Sequence, residues 1–335
     1  DLTAQQTRNS TVAMKHKGAS AMLAVGGENL IDFVSGQPAD NGLPRYVANP
    51  GGAPFNAAMA VGRQGQAVAY LTPVSTDALG ELLADRLVDC GVTVAAPRVS
   101  QPTSLAVVSV GPDGSASYAF HRNGTAERQV TGGGLDSWLP AATQIFHVGG
   151  LALVDGADAD VWEDFFMRCK ARGILTAIDP NVRPVLIPDR DSYVARLRRM
   201  MKKVDIFKLS DEDLLWLYPD HALDAALEMC RAECDAALFV LTMGPDGARG
   251  FAGGADLTVP ATPVPQMVDT VGAGDTFMAS ILAWVLETGR TDRAALNAID
   301  LDGLETVMHR AAQAAAINCG RQGCNPPTRA ELGLS

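Results

Sequence analysis

The sequence predicts an α/β fold, a doubly wound and mostly parallel sheet with helices on both faces, carrying a small antiparallel flap. Three observations predict it. From Ile145 onward short apolar runs alternate with longer amphipathic stretches, the pattern of repeated βαβ units. Earlier, Leu105 to Val110 and Ser115 to Phe120 flank Gly111-Pro112-Asp113-Gly114, a hairpin signal inside an otherwise βα chain. Polar clusters recur just past the apolar runs, where open α/β sheets place their ligands.

In chain order, Ala21 to Val25 reads as a buried first strand closed by Gly26-Gly27. Glu28 and Asp32 follow it; Asp32 is placed for a ligand, or for an Asx-type loop turn. Next comes Pro50-Gly51-Gly52-Ala53-Pro54-Phe55-Asn56. The glycine pair lets a ligand approach the backbone, and Pro54 suits the first turn of a helix. Ala57, Ala58, Ala60 and Gly62 allow that helix to lie close on the sheet. Asn56 both donates and accepts, which suits a sugar hydroxyl or water. Ala67 to Leu71 reads as a strand and Leu79 to Cys90 as a helix stopped by Gly91. Arg122, just past the hairpin, is placed to reach a substrate oxygen or to remain a surface arginine.

The alternating half predicts strands at Ile145–Val148, Ile174–Ile178, Ile206–Leu209 and Leu238–Leu241, with helices at Ala159–Lys170 and Asp224–Cys234. Arg196, Arg198, Arg199, Lys202 and Lys203 alternate with Val194, Leu197, Met200 and Met201, the solvated face of a further helix. A second hairpin is expected around Gly253-Gly254, and a last helix over Leu304–Ile317. Three polar loops should share one sheet edge: Asp179-Pro180-Asn181-Val182-Arg183, Ser210-Asp211-Glu212-Asp213 and Thr242-Met243-Gly244-Pro245-Asp246-Gly247.

The most informative stretch is Val268-Asp269-Thr270-Val271-Gly272-Ala273-Gly274-Asp275-Thr276-Phe277. A Gly-Ala-Gly turn at a helix start points unpaired N–H groups outward at the positive end of the dipole, which makes an anion site. Asp275 at its lip is placed to deprotonate whatever attacks a phosphate held there, or simply to cap the helix.

Composition limits the partners. A chain of 335 residues, 47% hydrophobic, can bury a large core. A net charge of −11 argues against nucleic acid and anionic membranes, and no apolar run approaches the ~20 residues of a bilayer span. Six cysteines and five histidines show no metal-ligand spacing, so the cysteines read as reduced thiols of a cytoplasmic protein. Residues 1–20 read as an extension outside the fold. Residues 21–335 read as one domain whose lid comes mainly from about 30–50 and 103–125.

These segments, in this order, resemble the ribokinase-like (PfkB) family of carbohydrate kinases, and within it the bacterial fructokinases. Val268 to Phe277 resembles the C-terminal signature and Gly51 to Asn56 the N-terminal one. Glu-Asn-Leu-Ile-Asp-Phe at 28–33, Asp-Pro-Asn-Val-Arg at 179–183, Lys-Leu-Ser-Asp-Glu at 208–212 and Cys-Asn-Pro-Pro at 324–327 are the further tags, and the likeness runs from about Met22 to the C-terminus.

The resemblance implies transfer of the γ-phosphoryl group of ATP, with Mg²⁺, to a sugar hydroxyl, most simply D-fructose to fructose 6-phosphate. It implies Asp275 as base, the N–H groups of Gly272, Ala273 and Gly274 as anion hole, and Arg183 beside the transferred phosphate. Asp32, Gly52, Asn56 and Arg122 would hold the sugar. Ser210, Thr242, Gly244 and Gly247 would hold the nucleotide, with Asn318 lining the adenine. Asp269 and the backbone of Val271 match a K⁺ site of many members, or brace the turn. The lid is also where family members often form homodimers.

The sequence departs from the family twice. Where the family has Asn-x-x-Glu for Mg²⁺, this chain has Ser210-Asp211-Glu212-Asp213, so Asp213 would act through a water with Glu212 as substitute. Ala53 stands where ribokinases carry Lys, which argues for a ketohexose. The alternatives are a 2-keto-3-deoxygluconate kinase and a non-catalytic sugar-binding paralogue, which should have lost Asp275 or its turn. A dinucleotide-dependent oxidoreductase would need Gly-x-Gly-x-x-Gly after the first strand, and Gly26-Gly27-Glu28 does not supply it.

Overall fold

The structure, a computed structural model, describes residues 21–110 and 116–334. The extension expected over residues 1–20 and the turn Gly111-Pro112-Asp113-Gly114 lie outside them.

The first half runs β1 (Met22–Gly26), β2 (Leu30–Ser35), β3 (Tyr46–Gly51), α1 (Ala53–Arg63), β4 (Ala67–Tyr70), β5 (Val74–Ser75), α2 (Ala78–Asp89), β6 (Thr93–Val94), β7 (Arg98–Val99), β8 (Ser104–Val110), β9 (Ala116–His121) and α3 (Gly132–Trp138). The second half begins β10 (Thr143–Gly149), α4 (Gly156–Ala171), β11 (Leu175–Asp179), α5 (Arg190–Met201), β12 (Ile206–Ser210), α6 (Asp211–Leu217), α7 (Leu223–Glu233) and β13 (Leu238–Thr242). It ends β14 (Ala248–Ala252), β15 (Ala255–Val259), α8 (Ala273–Glu287), α9 (Arg293–Asn297) and α10 (Leu301–Cys319).

Among the described residues nine strands form the central sheet in the order β15-β14-β13-β12-β11-β10-β1-β4-β6, parallel except for the β13–β14–β15 edge. Its inner strands are mainly apolar because helices cover both faces, and successive side chains serve opposite cores. Leu23 and Val25 of β1 join one cluster with Phe55, Leu83, Phe277 and Val307, while Ala24 joins the other with Trp162, Phe165, Tyr193 and Leu227. β1 has β10 on one side and β4 on the other, so the strand order reverses there. The crevice beyond the carboxyl ends of β1 and β10 is the expected ligand site. Four other strands form the flap in the order β3-β2-β8-β9.

Fold class and long elements match the sequence reading. The differences lie in short elements. Ser210 to Asp213, read as a loop, is the start of α6: Ser210 Oγ accepts from Asp213 N–H (3.0 Å) and Asp213 Oδ2 from Ser210 N–H (3.2 Å), a capping box. α3 and α6 are each 7 residues long, too short for a helical period to show. Among the described residues no helix is long and apolar enough to cross a membrane.

One tight contact sets the spacing of β10 and β11 at the crevice. A Cβ on Gly149 would lie 1.9 Å from the Asp179 carbonyl oxygen. Gly149→Ala is therefore expected to cost about 1–3 kcal/mol through overpacking, read as a lower midpoint in urea unfolding. An unchanged midpoint would contradict that packing.

Candidate active site

The site is built around the first turn of α8. Gly272 caps the helix with φ 74°, a left-handed conformation suited to glycine, and a Cβ there would sit 2.4 Å from Cys324 Sγ. Helix geometry leaves the Gly274 and Asp275 N–H groups without intrahelical partners at the positive end of the dipole. The Ala273 N–H, expected with its neighbours as an anion donor, is instead turned to Thr270 C=O (3.2 Å) and closes the turn.

Behind the turn lies a brace. Asp269 accepts from Val271 N–H (3.0 Å) and from Gly323 N–H (2.9 Å). Asn318 donates to Val271 C=O (2.7 Å) and accepts from Asn325 N–H (2.8 Å). Asn318, expected to line the adenine, is fully buried, and its amide is engaged in holding the turn. Asp269 and Val271 C=O, expected at a K⁺ site or as a brace, each take part in these hydrogen bonds and so brace the turn.

Asp275, third residue of α8, is 8% exposed. Its Oδ2 accepts from Asn56 Nδ2 of α1 (2.8 Å) and its Oδ1 from Asn181 Nδ2, beyond β11 (3.2 Å). Burial pushes its carboxyl up to about 6, against the pull of the Asn56 hydrogen bond, while the charge of Asp179 adds to the rise and Lys208 and Arg183 oppose it. Asn181 stands at φ 41°, a backbone conformation Asn tolerates better than most residues, and this aims its amide at Asp275. Asn56 Oδ1 is buried with no partner among the described residues, an acceptor left for a hydroxyl donor.

Beneath the turn, Lys208 Nζ pairs with Asp179 Oδ2 (2.8 Å), both nearly fully buried. Nζ lies 3.0 Å from where a Gly274 Cβ would be, so the missing side chain makes room for an ammonium under the anion site. Burial alone would lower the Lys208 ammonium, but Asp179 holds it above its usual value. The sequence places Asp179, Asn181 and Lys208 within motifs but assigns none of them a role of its own. A lysine inside the buried run Ile206-Phe207-Lys208-Leu209 was the available signal, since an ion in a strand core needs a partner.

On the flap side, Asp32 of β2 lies against Gly51, where a Cβ would be 2.5 Å from its Oδ2. Burial pushes the Asp32 carboxyl up to about 6, and Arg183 pulls it down. Arg183 is exposed and donates to Val182 C=O (3.1 Å). Gly52 has φ 111°, with the Glu28 carbonyl 2.6 Å from its would-be Cβ. Arg122 departs from expectation: it is buried, and its Nε and Nη2 are held by Glu127 (2.7 and 3.2 Å). Its Nε and Nη2 are therefore committed to Glu127 inside the protein and not to a surface or substrate oxygen.

Asp213 departs as well. Its oxygens accept from Ser210 and Val182 N–H groups (3.2 and 2.8 Å) and it is 6% exposed, so it ties α6 to the 182 loop instead of facing a metal. Glu212 is the exposed acid of that turn. Thr242 Oγ1 lies 3.4 Å from Leu209 C=O, and Met243 N–H donates to Gly247 C=O (2.8 Å) to close a tight loop. Gly244 (φ 51°) and Gly247 (φ 92°) shape that loop; at Gly247 a Cβ would meet Val259 C=O at 2.1 Å. Among the described residues no group of three or more His, Cys, Asp or Glu is set to hold a metal ion.

This arrangement can hold an anion at the α8 turn and take a proton from a hydroxyl at Asp275. The likeness to known proteins agrees. The pfkB family carbohydrate kinase profile matches residues 20–331. A fructokinase of Rhizobium leguminosarum bv. trifolii is 38% identical over 270 residues, covering 78% of this chain and 79% of that one. Fructokinase-1 of Oryza sativa subsp. japonica is 30% identical across 94% of this chain and 97% of its own length. The crystal structure of a Xylella fastidiosa fructokinase with bound ATP superposes with a TM-score of 0.83 at 28% identity, covering 93% of this chain and 96% of that one.

The environment of Asp275 makes a measurable prediction. Its carboxyl carbon should titrate by ¹³C NMR near pH 6, and Asn56→Ala, which removes a donor to the charged form, should move the midpoint upward. A midpoint near 4, or no upward movement, would contradict the geometry.

Proposed function

This chain belongs to the pfkB family of carbohydrate kinases, and from that premise we propose that it phosphorylates D-fructose with ATP to give fructose 6-phosphate. The observation that carries the proposal is Asp275, a buried carboxylate with a raised pKa at the mouth of a helix N-terminus. A base titrating near 6 holds a proton better than an ordinary aspartate and is still ionised at neutral pH.

In the reaction Asp32, the Gly52 backbone and Asn56 orient the sugar with its primary hydroxyl at Asp275. Asp275 takes the hydroxyl proton as that oxygen bonds to the γ-phosphorus, and the bond to the β–γ bridging oxygen breaks to release ADP. The Gly274 amide, the Gly272 turn and Arg183 stabilise charge on the transferring group, with Lys208 as a buried positive charge below. Ser210, Thr242, Gly244 and Gly247 frame the nucleotide. Mg²⁺, when bound, neutralises phosphate charge. It would be held mainly by the phosphates and its own waters, with Asp179 Oδ1, buried without a partner among the described residues, and the exposed Glu212 as the carboxylates that would reach it. The flap excludes water that would otherwise be phosphorylated. Tyr46, Val47 and Tyr118 on its strands are exposed, and we assign that surface to pairing with a second copy of the chain.

Arg122 separates the substrates. A sugar acid such as 2-keto-3-deoxygluconate needs a free cation for its carboxylate, and here that guanidinium is neutralised by Glu127 inside the protein. A neutral ketohexose suits the pocket better. The test is a coupled ADP-release assay over fructose, ribose and 2-keto-3-deoxygluconate. Fructose should give the highest kcat/KM; turnover with the keto-acid alone would overturn the substrate assignment.

A further inference from the structure

Glu28 is 3% exposed and has no part in the steps above. Gly52 is the N-cap residue of α1 and has no side chain with which to cap it. The missing cap comes from Glu28, whose Oε1 accepts from Ala53 N–H (2.9 Å). Its Oε2 accepts from Leu151 N–H (2.9 Å), in the turn after β10. Gly150, at φ 61°, makes room for this carboxylate; a Cβ there would lie 2.5 Å from Oε1.

The chain of contacts continues. Leu151 C=O accepts from Arg122 Nη2 (3.4 Å), Arg122 pairs with Glu127, and Glu127 Oε1 lies 2.9 Å from Ser104 Oγ. Ser104 opens β8 and Arg122 follows the end of β9, so these two residues form the base of the flap hairpin. At the other end, Ala53 opens the helix that carries Asn56. Glu28 is thus the buried joint between the flap base and the sugar-side end of α1. A charge buried this deeply is costly, and burial pushes its carboxyl up to about 7 against the pull of Arg122.

We infer that Glu28 is a positioning residue that couples the flap to the N-terminus of α1, and through it sets the sugar-binding step without acting on the nucleotide. The inference rests on the sugar-kinase reading for its kinetic consequence and on geometry alone for its structural one. A glutamine at position 28 keeps one acceptor and loses the other; an alanine loses both.

The test compares Glu28→Gln and Glu28→Ala with the wild-type chain, measuring KM for sugar and for ATP together with amide hydrogen exchange. Sugar KM should rise about tenfold in Glu28→Gln and further in Glu28→Ala, with ATP KM within about twofold. Exchange should quicken in residues 53–58 and 104–109 but not in residues 242–247. If the alanine variant fails to fold, Ser104→Ala cuts the same chain at its flap end and should raise sugar KM alone. Equal rises in both KM values, or unchanged exchange at 104–109 in Glu28→Gln, would overturn the inference. A wild-type chain that phosphorylates no sugar of the panel would refute the functional reading, while the exchange experiment would still decide the coupling.

Discussion

The contact on which the rest depends is the 2.8 Å hydrogen bond from Asn56 to Asp275, across 219 residues of sequence. It fixes the N-terminus of α1 against that of α8, and so brings the Gly51-Gly52 turn to the first turn of α8. A second polar contact, Gln64 Nε2 to Ser280 Oγ (2.8 Å), locks the same two helices further along. Gln64 in turn accepts from Arg310 of α10 (2.9 Å), and α10 carries Asn318, which braces the turn from behind. Between the two contacts α1 presents Ala57, Ala58 and Ala60, all buried and small enough for close helix approach. A misplacement of either helix would therefore reach the reacting atoms directly.

The electrostatics of the crevice follow from what that packing buries. Asp275, Asp32 and Glu28 are all pushed upward by loss of water, and Lys208, Arg183 and Arg122 offset them only in part. Such a cluster costs folding free energy. The cost has a chemical counterpart: a carboxylate that holds a proton more strongly is a more effective base at neutral pH. The positive groups are divided by place, with Lys208 below the turn, Arg183 exposed at its side and Arg122 locked away under the flap.

How much was legible in the sequence differs by kind of information. The alternation after Ile145 and the glycines at 51–52 and 272–274 are local signals, and the sheet and the two turns stand where those signals put them. Bond partners were not legible. Arg122 looked free because nothing in the sequence says that Glu127, five positions on, turns back to it. Asp213 and Asn318 are polar residues of the expected types, but the main chain had already taken their oxygens and nitrogens. Asn181 was seen only as part of a loop, since its aim at Asp275 depends on a backbone angle that only the folded loop fixes.

The central claim is that Asp275 serves chemistry rather than substrate holding or helix stability. Asp275→Asn tests it most directly, with sugar and ATP binding followed by calorimetry and turnover by ADP release. The account predicts binding of both ligands at little-changed affinity with kcat reduced by about 10²–10⁴-fold. A near-normal kcat in that variant would contradict it.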